Sequence, residues 1–436
     1  MTLPGNTDHE SEPICKKEKT SFVREIYLVR TKNNKMLLSS KLLIRNYSST
    51  RNILVINCGS SSVKFQITNP VTQTTPITGI AERLSTSKAV IKLKSQYVYN
   101  KQTIGIPDSD HKRACDHIYD LIKDYDIKAI GHRVVHGGDK FKKSVIIDQD
   151  VKHEIQRLFP LAPLHNPKNL MGIELMQMKF PELKQVAVFD TSFHVASIPS
   201  KAFRYAVPQS WYNTHKVRRY GFHGTSHKYV AEQAAKILDK PLDELKLITA
   251  HLGNGCSLAA IKNGKSLDTS MGFSPLEGLI MGSRSGDIDA NVVNYMTKNL
   301  DCKADEVIRI LNHQSGFGAI AGVADSRDLE DLYFKGDEYA ILAIEMFCYR
   351  IAKYMASYFV PLEGLPDAII FTAGIGERSP LKRALIINHI KSFGFILDEK
   401  SNEQNEMVIS KNVPNVLVIP TNEELIIAQE TYDLTE

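Results

Sequence analysis

Four segments concentrate side chains able to handle an anion. GHRVVHGGDKF (131–141) crowds His132, Arg133 and His136 between glycines, and MGSRSGDID (281–289) sets Arg284 between glycines with Asp287 and Asp289 close behind. A guanidinium cannot lose its charge and its planar fork matches carboxylate or phosphate oxygens in pairs, so such arginines suit anion chemistry. FDTSFHVASIP (189–199) ends an apolar run on Asp190. An acid there is either a charge with a task or an N-cap for the next element. RRYGFHGTSHKYV (218–230) carries His223 and His227 four residues apart. No acid or cysteine at ligand spacing accompanies them, so they read as an anion-facing His223 and a helical His227 rather than a metal site. His194 reads as structural. His165 lies in the two-proline turn LAPLHNP (161–167), and Glu423 and Glu424 open a terminal helix, where acids commonly compensate the helix dipole.

These side chains must be held by strands and glycine turns. In KLITAHLGNGCSLAAIK (246–262) an apolar run feeds Gly253-Asn254-Gly255 and then a second apolar run. That pattern predicts a tight hairpin needing positive φ, with backbone N–H groups free to approach an anion. An echo precedes it in NILVINCGSSSVKFQI (52–67), and two such hairpins face to face would clamp phosphates from both sides. A third glycine-rich loop, AGIGERSP (373–380), is expected between a buried strand at Ala368–Thr372 and a helix. Between these lie a polar region to about residue 110, a helix to Tyr125, and a strand at Lys128–Ile130. Further on come a helix capped by Thr225 or Ser226, a helix from about Glu338 to Phe359 and a strand at Val416–Ile419. Three motifs fail. NGKS (263–266) has Ala259 where a P-loop needs glycine, GFGAIA (316–321) follows no strand, and HEIQR (153–157) lacks its second histidine.

At 436 residues, two domains are expected. A net charge of +5 without a basic run and interleaved aromatics gives no indication of nucleic acid, and no apolar run is long enough to span a bilayer. Six scattered cysteines without a CxxC pair suit free thiols in a reducing compartment. Residues 1–51 differ from the rest. They begin polar and acidic, and from Met36 to Arg51 they are serine-rich and basic, like an organellar transit peptide; a disordered extension or an upstream start is the alternative.

From Asn52 onward the chain resembles the acetate kinase (acetokinase) family of the ASKHA superfamily, which also holds sugar kinases, actin and Hsp70 ATPase domains. The segments that carry the resemblance occur in family order: NCGSSSVKFQI, GHRVVHGG, APLHNP, FDTSFH, RRYGFHGTSHKYV, HLGNGCSL, TSMGFSPLEGL, FTAGIGE and PTNEE. The resemblance implies an α/β, duplicated two-domain fold with a cleft. Domain I would span 52–192, completed by the C-terminal helix at about 424–436, and a nucleotide-binding domain II would span 193–423. It implies reversible phosphoryl transfer from MgATP to acetate, with Mg2+ replaceable by Mn2+, in a cytoplasmic homodimer with no nucleic-acid or membrane partner. The transit-like stretch leaves an organelle as the alternative location.

Residue by residue, the resemblance implies that Arg133 and Arg284 hold the carboxylate and the transferring phosphoryl and that Asp190 orients them. His223 would donate to the phosphoryl, with His165 as its polar neighbour. Val135, Leu164, Phe222 and Pro275 would receive the alkyl end of the acid, and Asn57 and Glu423 the magnesium. Lys64, Asn254, Gly255, Asp325, Ser326, Arg327 and the run Gly374, Ile375, Gly376, Glu377 and Arg378 would meet the nucleotide. Arg378 departs from the family's usual Asn and bears on the adenine contact; Ala290 departs from a usual Pro. Rival readings are a kinase for a longer acid, propionate or butyrate, and an ASKHA module that binds without turnover.

Overall fold

The structure, a computed structural model, describes residues 51–96 and 98–436; the predicted N-terminal extension, through residue 50, lies outside them. Two sheets organise the described chain. The first contains β1 (Asn52–Cys58), β2 (Ser62–Asn69), β3 (Thr74–Glu82), β4 (Val90–Ser95), β5 (Val98–Gly105), β6 (Ile127–Val134), β7 (Val145–Ile146) and β8 (Lys184–Phe189), in the order β5-β4-β3-β2-β1-β6-β8-β7. The second contains β9 (Lys246–Leu252), β10 (Cys256–Lys262), β11 (Lys265–Thr269), β12 (Ala368–Thr372) and β13 (Asn415–Val418), in the order β11-β10-β9-β12-β13. The two share one plan. In each, three antiparallel strands (β3-β2-β1 and β11-β10-β9) are extended by two parallel ones (β6-β8 and β12-β13). The repeated hairpin seen in the sequence is the start of this repeated sheet.

Alternation decides which face each strand buries. Leu54, Ile56, Val63, Phe65 and Ile67 pack under helices His111–Ile122 and Asn166–Lys179. The opposite residues Ile53, Val55, Ala129, Val186 and Val188 pack against Ile427 and Ala428 of the last helix, Glu423–Thr435. Each of the Ile, Leu, Val and Phe side chains among these contributes about 1.5–3 kcal/mol by leaving water. The C-terminal residues therefore return to the first sheet. β12 is buried at all five positions, which explains its unbroken apolar run.

Several local expectations change. The polar region before residue 110 contains β3, β4 and β5, whose Ile77, Ala81, Ile91 and Leu93 face the core while Lys92 and Lys94 face away. A two-faced strand of this kind carries only half the apolar signal of a buried one. The strand expected at Lys128–Ile130 runs on to Val134, so Arg133 sits on β6 and not in a loop after it. None of Gly59, Gly253, Asn254 or Gly255 has positive φ, so the hairpin glycines serve close approach instead of left-handed backbone. The helix expected to be capped by Thr225 or Ser226 begins at Gly224, with His223 before it at φ 58°. AGIGER is itself a helix, Ala373–Arg378, entered through Ala373 at φ 63°. NGKS is the turn between β10 and β11, with Asn263 at φ 55° and Gly264 at φ 71°. Among the described residues, Cys58, Cys115, Cys256, Cys302 and Cys348 are free thiols, and no helix is long and apolar enough to cross a membrane.

Candidate active site

The carboxyl ends of the parallel strands β6 and β8 bring Arg133 and Asp190 together. Arg133 donates from Nε to Asp190 Oδ1 at 2.9 Å and from Nη2 to Oδ2 at 2.5 Å. Alternation turns His132 the other way, onto Gln185 at 2.7 Å. Asp190 is 1% exposed, and the short helix after it is preceded by Thr191 without a side-chain cap, so the capping reading fails. Burial pushes the Asp190 carboxyl up to about 6 although Arg133 pulls it down; Glu423 adds to the rise. Arg133 Nη1 reaches Asn57 Oδ1 at 3.5 Å. Lys64 stands directly across the hairpin from Asn57 and is exposed. Burial opposes ionisation of Glu423, but Arg133, His251, Thr225 and Lys64 overcome it and hold its pKa below the usual range.

Further groups come from β9 and β10 of the second sheet, from the entry to helix Gly224–Ile237 and from the loop that holds Arg284. His223 closes onto β10, where Ser257 Oγ lies 2.9 Å from its Nδ1, and its ring stacks on His251 at 4.1 Å. Gly255 adjoins this ring so closely that a Cβ there would stand 3.4 Å from His223 Nε2 and 3.7 Å from Arg284 Nη1. Arg284 Nη1 donates to the Pro275 carbonyl at 3.4 Å. Among the described residues no carboxylate pairs with Arg284. Asp287 is taken by Gly278 N, Tyr354 and Arg350, and Asp289 by Asn291 N. Burial, with Arg133 and Arg284 adding to the effect, lowers the His165 ring to about 4. Val135 and Phe222 share one apolar cluster; Pro275 is half-buried, and Leu164 is 54% exposed.

The loops expected to meet a nucleotide lie beside this group. A Cβ on Gly282 would stand 2.8 Å from both Asn254 Oδ1 and the Ala324 carbonyl, so Asn254 and the segment entering Asp325 converge there. Gly253 lies against Ala373, where the AGIGER helix starts. Asp325 is bound in bidentate fashion by Arg327, whose side chain is 86% exposed. Ser326 starts helix Ser326–Phe334. Ile375 and Gly376 are buried, Gly374 and Arg378 are exposed, and Glu377 accepts from Thr421 N at 3.1 Å.

The family model described as the acetokinase family matches residues 52–429. The chain belongs to the acetokinase family. It is 46% identical over 397 residues to the acetate kinase of Carboxydothermus hydrogenoformans, covering 88% of this chain and 98% of the relative. It is likewise 46% identical over 401 residues to that of Thermotoga maritima, again covering 88% and 98%. Among solved structures, a propionate kinase from Francisella tularensis subsp. tularensis superposes with a TM-score of 0.84 at 47% identity, covering 88% of this chain and 99% of that one. Porphyromonas gingivalis acetate kinase gives 0.82 at 40%, covering 88% and 100%. The acetokinase chain thus has the two-domain α/β ASKHA fold that the sequence led us to expect.

Several residues that brace this acetokinase site escaped the sequence reading. Lys382 is 1% exposed and ties the Ser326 carbonyl (3.4 Å) to Glu330. Its neighbour Arg383 is fully buried and donates to the Gly376 carbonyl at 2.9 Å and to Asn402 at 2.8 Å. The available signal was two cations in the first turn of helix Pro380–Ile390, where the dipole disfavours them. Ser257 and His251 were missed because each reads as part of an apolar strand.

Proposed function

We propose that this acetokinase transfers the γ-phosphoryl of MgATP reversibly to acetate, giving acetyl phosphate and ADP by direct in-line attack of the carboxylate oxygen. The observation that carries the reading is Arg284: a half-buried guanidinium with no carboxylate partner among the described residues, close beside the His223 ring at Gly255 and lowering the pKa of the same His165 as Arg133. Such a cation is costly until an anion arrives. Acetate is already ionised at neutral pH, so no general base is required, and the task reduces to alignment and charge neutralisation. Asp190 orients the Arg133 fork, and Arg284, from the loop after β11, and the His223 Nε2 edge, from the entry to helix Gly224–Ile237, approach the phosphoryl. Asn57, Lys64 and Asn254 lie on the two hairpins that would clamp the phosphates.

Asn57 and Glu423 fit Mg2+. Asn57 accepts from Arg133, the same guanidinium helps keep Glu423 ionised, and both offer oxygen, while among the described residues no cluster of three acidic, histidine or cysteine groups builds a closed metal cage. A sparse oxygen set suits an ion that keeps waters and takes its other ligands from phosphates. When bound, Mg2+ (or Mn2+) neutralises charge on the nucleotide's phosphate oxygens. The test is a panel of short carboxylic acids with MgATP, acyl phosphate being trapped as the hydroxamate. No turnover with any acid would leave only a binding module.

The 47%-identical propionate kinase favours propionate as a second reading. Val135, 6% exposed and clustered with Phe222, is the residue to probe. Val135→Ala is expected to move the kcat/KM ratio of propionate over acetate upward by about 1 kcal/mol, the worth of part of a methylene's room. An unchanged ratio would mean that the alkyl end sits elsewhere.

A homodimer is part of the same proposal. Helix Glu338–Ser357 exposes Tyr339 (58%), Leu342 (46%), Met346 (40%) and Tyr349 (55%) at spacings that form one stripe, suited to a second copy of this chain. A monomeric mass in sedimentation at micromolar protein would remove it. The free thiols of the described residues fit a reducing compartment, and we place the enzyme in the cytoplasm on that basis.

A further inference from the structure

Behind His223 a file of polar side chains runs into the core of the second sheet. Ser257 Oγ lies 2.9 Å from His223 Nδ1 and 2.7 Å from His227 Nε2. Thr249 Oγ1 lies 2.7 Å from the other nitrogen of His227, Nδ1. Ser257, His227 and Thr249 are fully buried, so each of these contacts must be a made hydrogen bond or a costly mismatch. Their strands and helix are built for it. Thr249 on β9 and Ser257 on β10 are antiparallel neighbours two pairs apart on one face, and His227 lies one turn along the helix from His223.

The Ser257 hydroxyl carries a single proton. When it donates to one ring it must accept from the other, so the four groups share one direction. In the outward direction Thr249 donates to His227 Nδ1, His227 Nε2–H donates to Ser257, and Ser257 donates to His223 Nδ1. His223 Nε2 is then left carrying the N–H. That edge lies beside Gly255, and Arg284 Nη1 also approaches Gly255. In the inward direction His223 would present a lone pair, which repels an incoming phosphoryl. Burial also lowers the pKa of His223 well below the ordinary value, with His251, His227, Arg133 and Arg284 adding to the effect, so the ring does not gain a second proton instead.

We propose that Thr249, His227 and Ser257 are positioning residues: with an anion in the cleft they hold His223 as the neutral tautomer protonated on Nε2, so that it donates a hydrogen bond to the transferring phosphoryl without bringing a charge. This rests on the acetate kinase reading above but makes a separate claim about one proton. A ring held in the wrong tautomer is inert as a donor whatever its position.

The direct test uses the wild-type chain labelled with 15N-histidine, the His223 signals being assigned by their loss in His223→Gln. With MgADP and aluminium fluoride standing in for the phosphoryl, His223 is expected to show a protonated Nε2 and a bare Nδ1. A proton on Nδ1, or on both nitrogens, would overturn the proposal. Kinetically, Ser257→Ala is expected to lower kcat about 10- to 100-fold, the usual cost of removing a residue that orients a working ligand, with KM for acetate and ATP changed less than about threefold. His227→Gln places an amide N–H at the Nε2 position and is expected to retain about tenfold more kcat than His227→Ala. Unchanged kcat in Ser257→Ala, or a parallel fall in kcat, affinity and Tm, would also overturn it. Should Ser257→Ala not fold, the wild-type spectrum decides. Should the wild type phosphorylate no acid, the function fails, while the spectrum still reports the tautomer.

Discussion

Arg284→Ala is expected to lower kcat by about 10³ while raising KM for ATP far less, as arginine contacts do in other phosphoryl transferases. The guanidinium lies near His223 from the loop after β11, while Arg133 is fixed on the first sheet by Asp190. Both lower the pKa of His165, so an anion brought beside that ring would meet two cations. Charge is most crowded at transfer, so the loss falls on kcat. Arg284→Lys is expected to restore only part, because a point charge cannot span two oxygens. A role in tying its own loop is already weakened, since Asp287 and Asp289 are bound elsewhere. Removing a half-buried cation that has no carboxylate partner among the described residues, and only a long contact to the Pro275 carbonyl, should leave Tm nearly unchanged. A folded Arg284→Ala enzyme with near-normal kcat for acetyl phosphate formation would take Arg284 out of the site.

Asp190→Ala is expected to behave differently, abolishing activity and stability together. It strands Arg133, whose Nε and Nη2 both end on the Asp190 carboxylate. Breaking a buried pair from one side costs about 3–5 kcal/mol. Replacing both partners, as in Arg133→Met with Asp190→Leu, should recover most of that stability, because apolar groups of similar volume often do as well as the pair. It should recover no turnover. Denaturant titrations and hydroxamate assays on the wild type and these two variants separate the two roles. A stable, active Asp190→Ala would mean that the pair serves neither.

Much of this was legible in the residues. The repeated hairpins announced a repeated sheet, because strand, small turn and strand is a local pattern that leaves its mark on consecutive residues. Asp190 at the end of a buried strand was legible for the same reason. Arg133 was identified but misplaced, since GHRV carries a glycine and two charged or polar residues that hide a strand interior. β3 to β5 were hidden by lysines on their open face. Ser257, Lys382 and Arg383 were illegible for a different reason. Their meaning lies in partners 34, 56 and 19 residues away, and no local period records such a pairing.

The return of the last helix to the first sheet has a mechanical consequence. The chain passes from one sheet to the other after β8 and back again between β13 and Glu423, so two covalent links join the halves. A lid on a single tether can swivel and arrive askew. A body hung on two pins can turn only about the line through them, so the two links confine any relative motion of the sheets to one axis. Arg133 belongs to one leaf and Arg284 to the other, and Glu423 lies at the second link.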